Sequence, residues 1–197
     1  MSIPVGGRAQ RVDARANRGR ILDAAEEVFG KGGESASTEE VARLAGVGIG
    51  TVFRHFPTKT ALLEAVLDRE FGRLREHASA LLDAPDPGEA FRDLFSHLAE
   101  RGQTKIAMTD ALLDAGGRLD GIARVERASD ELRQVVGALL QRAQQAGTVR
   151  SDVELPEVYA LLAAISQASA RSRLDEDARA RLLAIVFDGL QPRDRPA

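Results

Sequence analysis

The sequence predicts an all-α fold, and three observations carry that prediction. Apolar residues recur at helical spacing along nearly the whole chain. Alternating apolar and polar runs of the strand type are scarce. Glycine and proline breaks leave room for about nine helices, arranged as an N-terminal three-helix unit followed by a larger helical region. The 197 residues are 44% hydrophobic and 29% charged, the balance of a soluble globular protein. Cysteine is absent, which excludes disulfides and thiolate metal sites. No run approaches the roughly 20 apolar residues of a membrane span, and the N-terminus has no apolar stretch of signal-peptide type, so the expected location is the cytoplasm without membrane partners.

Ile21, Leu22, Ala25, Val28 and Phe29 make one stripe, which predicts a first helix from about residue 15 to Lys31, ended by Gly32 and Gly33. Ser37 and Glu40 have the spacing of a capping box, so a second helix starts at Thr38, with Val41, Leu44 and Ala45 as its buried face. Gly46 turns the chain into a short third helix from about Ile49 to His55. Pro57 stops that helix, and Thr58 caps a long fourth one carrying Leu62, Leu63, Val66, Leu67, Phe71, Leu74, Ala78 and Leu81. Beyond the break at 83–89, Phe91, Leu94, Phe95 and Leu98 form one stripe, and Ile106, Met108, Leu112 and Leu113 form another. Leu132 to Ala143 marks a longer helix ending at Gly147. Pro156 opens the next, and the last runs from about Glu176 to Gly189.

Charge is distributed unevenly. Residues 1–20 hold five arginines against Asp13, a local +4 on a chain of net −3. A cationic end on an acidic protein suggests a surface that faces a polyanion. Residues 1–14 are read as a basic, disordered arm, 15–60 as a helix-turn-helix domain and 61–197 as a C-terminal effector-binding and dimerisation domain. For the arm's Arg8, Arg11, Arg15 and Arg18 two readings stay open: contact with phosphates or the minor groove, or plain disorder with weak attraction.

Two short helices joined by a glycine turn and packed on a first helix describe a helix-turn-helix. Val47, Val52 and Phe56 are placed to pin the third helix, leaving Thr51, Phe53, Arg54 and His55 on its other side. Gly48 and Gly50 let the backbone approach a duplex, and Lys59 adds a phosphate anchor at the start of the next helix. Each basic residue alone reads as a solvated surface position. The ordered set of capping box, glycine turn, basic tip, proline stop and lysine favours DNA.

Residues 18–66 closely resemble the DNA-binding domain of TetR-family transcriptional regulators. The match rests on RILDAAEEVFGKGG, STEEVARLAGVGIGTVFRHF and PTKTALLEAV, about the first third of the chain. By that resemblance Thr38, Thr51, Phe53, His55 and Lys59 fall where the family contacts the DNA backbone, and Arg43, Gly48, Ile49 and Gly50 fall around the base-facing surface. Two departures stand out. Gly48 replaces a frequent Ser or Thr, giving up a side-chain cap. Phe53 replaces a frequent Tyr, giving up a hydroxyl.

A lone helix-turn-helix buries little surface on DNA, so a homodimer on a palindromic operator is expected. Val158, Leu161, Leu162, Ile165 and Ala168 line one candidate dimer helix; Leu182, Leu183, Val186, Phe187 and Leu190 line the other. Packing on their own domain is the competing use of these stripes. Phe71, Leu74, Phe91, Phe95, Leu98, Met108, Leu112 and Val136, with His77 or His97, are candidates for a small-molecule effector pocket. The resemblance implies a repressor released when a ligand reorients the fourth helix. No metalloprotease, nucleophile-elbow or phosphate-loop motif is present, and His55, His77 and His97 lack metal-ligand spacing, so no enzyme and no cofactor is expected. A helical protein-binding adaptor is the alternative.

Overall fold

The computed structural model describes residues 6–32, 36–114, 116, 119–172 and 174–192. Eight helices lie among the described residues: α1 (Gly6–Gly32), α2 (Thr38–Ala45), α3 (Ile49–His55), α4 (Lys59–Leu81), α5 (Pro87–Asp114), α6 (Leu119–Gln145), α7 (Leu155–Ser172) and α8 (Glu176–Leu190). Gly33, parts of the loop 115–118 and the side chains of Arg8, Arg11 and Ile106 lie outside the described residues. Where described, the chain is all-α. No helix among those residues is long and apolar enough to cross a membrane.

Local chemistry sets the element ends. Ser37 Oγ accepts the Glu40 N–H at 3.1 Å, as the capping-box spacing predicts. Gly46 ends α2 in the left-handed region at φ 65°, and the Val47 N–H reaches back to the Ala42 carbonyl at 3.0 Å. Thr58 Oγ1 accepts the Ala61 N–H at 3.0 Å and starts α4. Asp86 Oδ1 accepts from Gly88 and Glu89 at 2.9 and 3.0 Å, so α5 opens with a side-chain cap and Pro87 in its first turn. Asp175 does the same for α8 through the Ala178 N–H at 2.7 Å.

Two differences from the sequence reading are structural findings. First, α1 begins at Gly6, well before residue 15, so much of the expected disordered arm is helical. Its run of Ala, Arg and Gln has high helix propensity and no proline, which lets α1 extend toward the N-terminus. Second, the stripes Phe91–Leu98 and Ile106–Leu113 lie on one continuous helix, α5, because no proline or capping signal interrupts the residues between them.

The chain divides into two units, Met1–Arg69 with Thr104–Val125 and Glu70–Gln103 with Glu126–Ala197. The division falls inside α4, α5 and α6. In the first unit α1 packs on α2 and α2 on α3, burying Ile21, Ala25, Phe29, Val41, Val52, Phe56, Leu62, Leu63 and Val66. Arg69 fixes α4 to α1 through Asp23 at 2.7 Å and Glu26 at 3.0 Å. The second unit buries Leu74, Phe91, Leu94, Phe95, Leu132, Val136, Leu139 and Val158. It also encloses an ion pair: Glu70, only 2% exposed, accepts two hydrogen bonds from Arg101 at 2.6 and 2.7 Å. Arg142 donates to the Leu81 and Ala84 carbonyls at 3.3 and 3.1 Å and so closes the α4–α5 turn.

Candidate nucleic-acid interface

The interface is built on α2 and α3. Val52 and Phe56 anchor α3 inward, which leaves the opposite side of this short helix in solvent. Gly48, Ile49, Gly50, Phe53 and Arg54 are exposed, and Thr51 and His55 are half-exposed. A Cβ added at Gly48 or Gly50 would meet nothing within 4 Å, so bare backbone is presented at the tip. Gly48 provides no side-chain cap for α3, as its lack of a side chain requires. Arg43, at the end of α2, is exposed with its guanidinium 3.6 Å from Glu40.

Two expected phosphate contacts sit deeper. The Thr38 side chain is buried and donates to the Glu39 carboxylate at 3.4 Å. Lys59 is half-buried: its ammonium donates to the Ala36 carbonyl at 2.7 Å and lies 5.6 Å from the centre of the Phe29 ring. It ties the segment before α2 to α1 and α4. Arg18 on α1 is held beside the end of α3, its guanidinium 4.8 Å from the centre of the Phe56 ring. A sequence reading could not pair residues so far apart.

Leu44 corrects the expected buried face of α2. It is 46% exposed, while Ala42 is buried beside Val41 and Ala45. Small Ala42 lets the helices approach, and Leu44 is turned to one wall of a groove of about 360 Å³ lined also by Glu27, Val28, Lys31, Glu40 and Arg43.

The effector-pocket candidates Phe71, Leu74, Phe91, Phe95, Leu98, Met108, Leu112 and Val136 are all buried, and His77 is half-buried. Met108 and Leu112 belong to the first unit, the others to the second. Phe91 touches a cavity of only about 10 Å³ beside Thr148 and Phe187, barely the space of one water. The His77 and His97 rings meet at a tilt of 39° with centres 4.5 Å apart, and His77 Nε2 lies 3.6 Å from Asp93. Burial lowers the His97 pKa below its ordinary value, with His77 and Arg101 adding to the effect.

Of the dimer candidates, Val158, Leu162, Ile165, Leu183 and Leu190 are buried within the chain itself. Leu161, Ala168, Leu182, Val186 and Phe187 are half-buried, and Phe187 meets the Phe95 ring edge-on at 5.5 Å. The outward face carries Ala160, Ala164, Ala184 and Ile185 instead, and Ile185 is 68% exposed. Spacing alone does not say which side of a doubly apolar helix turns outward.

Comparison with known proteins extends the picture. Residues 21–66 match the family profile described as bacterial regulatory proteins, tetR family, and residues 86–192 match that of the C-terminal domain of SbtR-like transcriptional regulators. The HTH-type transcriptional repressor KstR of Mycobacterium tuberculosis is 32% identical over 151 residues, spanning 75% of this chain and 66% of that one. The crystal structure of a TetR transcription regulatory protein from Mycobacterium vanbaalenii superposes with a TM-score of 0.71 at 36% identity, covering 92% of this chain and 99% of that one. The fold is shared also by the regulator FadR of Bacillus subtilis in complex with stearoyl-CoA, with a TM-score of 0.62 at 16% identity over 87% of this chain and 98% of that one.

Proposed function

The chain belongs to the TetR family of bacterial DNA-binding transcriptional regulators, which are not enzymes, and from that premise we propose that it is a ligand-responsive repressor acting as a homodimer on a palindromic operator. The observation that carries the reading is the outward side of α3, bare at Gly48 and Gly50 and cationic at Arg54, with Arg18 held against Phe56 at its end and Arg43 exposed at the end of α2. Thr51, His55 and Phe53 approach the sugar-phosphate backbone, while Arg43, Ile49 and the glycines face base edges. Thr38 and Lys59 hold the helices that present this surface, and Lys59 adds positive charge at the start of α4. Residues 1–14 supply further cations to the same duplex, 15–60 form the DNA-binding domain, and 61–197 the effector and dimer domain.

The exposed Ala160, Ala164, Ala184 and Ile185 support a pairing face on α7 and α8, since small side chains permit close helix approach and an isoleucine in water favours a partner. That FadR binds stearoyl-CoA on a shared fold supports a small-molecule effector for this chain too, lodged among the apolar residues that carry Phe71, Leu74 and Phe91. Such a ligand lowers operator affinity, and by linkage the operator lowers ligand affinity by the same factor. The working compartment is the cytoplasm, where the operator lies.

Selection of bound sites from random duplex DNA with the purified full-length protein tests this. The expected product is an inverted repeat whose half-sites lie about 34–36 Å apart or a multiple of that, with affinity falling steeply as salt rises. A protein that enriches no sequence and shows no salt dependence is instead the helical adaptor.

A further inference from the structure

The outward side of α3 is unusual in what it lacks. Ile49 and Phe53 stand one helical turn apart and are 38% and 42% exposed, large apolar groups left in water. Between and beside them Gly50 and Gly48 contribute no side chain, and Val52 is turned inward. Of the residues between them only the half-exposed Thr51 carries a side-chain donor or acceptor, so Ile49 and Phe53 can offer a base pair apolar contact alone. The charge on α3 suits a polyanion: Arg54 is exposed and no acid lies on the helix, while Arg18 from α1 is held against Phe56 just past its end. Exposed apolar groups on a helix that carries a cation and no acid fit a surface whose rails are phosphate and whose floor offers an apolar group.

In the major groove one base-edge group is apolar, the 5-methyl of thymine. Cytosine at the same position presents C5–H where thymine has its methyl, so Ile49 loses that apolar contact. Resting on the DNA-binding reading above, we propose that Ile49, flanked by Phe53, selects a thymine at one fixed position of each operator half-site through its 5-methyl group. Ile49 acts as a specificity-determining residue through its apolar contact with the methyl group, and Arg54 on the same helix adds affinity. The same chemistry admits 5-methylcytosine in preference to cytosine.

The test uses the full-length protein and a duplex recovered by the selection above. Each thymine is replaced in turn by deoxyuridine, which removes the methyl group and leaves base pairing intact. The expected result is a loss of about fourfold in affinity at one position per half-site, the size of one buried methyl, and little change elsewhere. In Ile49→Ala that loss shrinks toward zero, and in Ile49→Val, which keeps binding measurable should the alanine variant bind too weakly, it is reduced. Ile49 is exposed, so neither variant should alter thermal unfolding. Uridine tolerated at every position, or a uridine penalty that both variants leave unchanged, overturns the proposal while DNA binding stands. Failure of the wild-type protein to bind any duplex selectively removes the DNA reading and this proposal together.

Discussion

The helix-turn-helix region and the second unit hold their helices by different means. In the helix-turn-helix region the elements are short and local devices mark both ends of α2 and the start of α4: the Ser37 cap, the left-handed Gly46 turn and the Thr58 cap. The second unit is made of long helices, and its defining contacts join residues far apart in sequence. Glu70 meets Arg101, and Arg142 reaches the Leu81 and Ala84 carbonyls. The lesson is that a surface built to present backbone at a helix tip needs its ends fixed locally. A region built to bury apolar surface is fixed by what packs across it.

Substitutions should separate the two strategies. The largest effect is expected for Arg101→Ala, which leaves the Glu70 carboxylate enclosed without its partner. Stability should fall by about 3 kcal/mol in urea unfolding, and a loss below about 1 kcal/mol would mean that water reaches Glu70 freely. Gly102→Ala comes next. A Cβ there runs into the Ser166 side chain, including its Cβ at 3.1 Å, which no rotation of the serine can move away. A loss of about 2 kcal/mol is expected, largely relieved by Ser166→Gly in the double mutant cycle. Gly46→Ala forces a side chain into φ 65°, where space is open but the conformation is strained, and should lower the unfolding midpoint by the equivalent of about 1 kcal/mol.

The smallest effect is a dependence on pH. Burial holds the His97 pKa below its ordinary 6.5, with help from His77 and Arg101 and against Glu100 and Asp93. The unfolded chain therefore takes up the proton first as pH falls below 6.5, so stability declines through that window and levels off below the folded-state value. Unfolding midpoints at about pH 8 and about pH 5 should differ less in His97→Gln than in the parent. An unchanged difference would assign the acid sensitivity to other groups.

Much of the candidate site was legible because its signals are local. The cap at Ser37, the turn at Gly46, the inward Val52 and Phe56 and the outward Arg54 all follow from spacing within a few residues. What spacing left open is instructive. Leu44 and Ala42 are both apolar neighbours on α2, and the close approach of α1 chose the smaller one for the interior. Lys59 reads as a free cation until the fold brings the Ala36 carbonyl to it. Ile185 sits among apolar residues on α8 and is left 68% exposed.

By itself the sequence determined that the chain is helical, where most helices start and stop, and that a basic glycine-flanked tip follows a tight turn. Those properties arise from hydrogen bonds and dihedral preferences between residues a turn apart, which the order of side chains specifies directly. Only the tertiary structure decided which side of each apolar stripe faces inward, which charges become partners and which apolar groups remain exposed. Burial is set by neighbours distant in the chain, and periodicity carries no information about who those neighbours are.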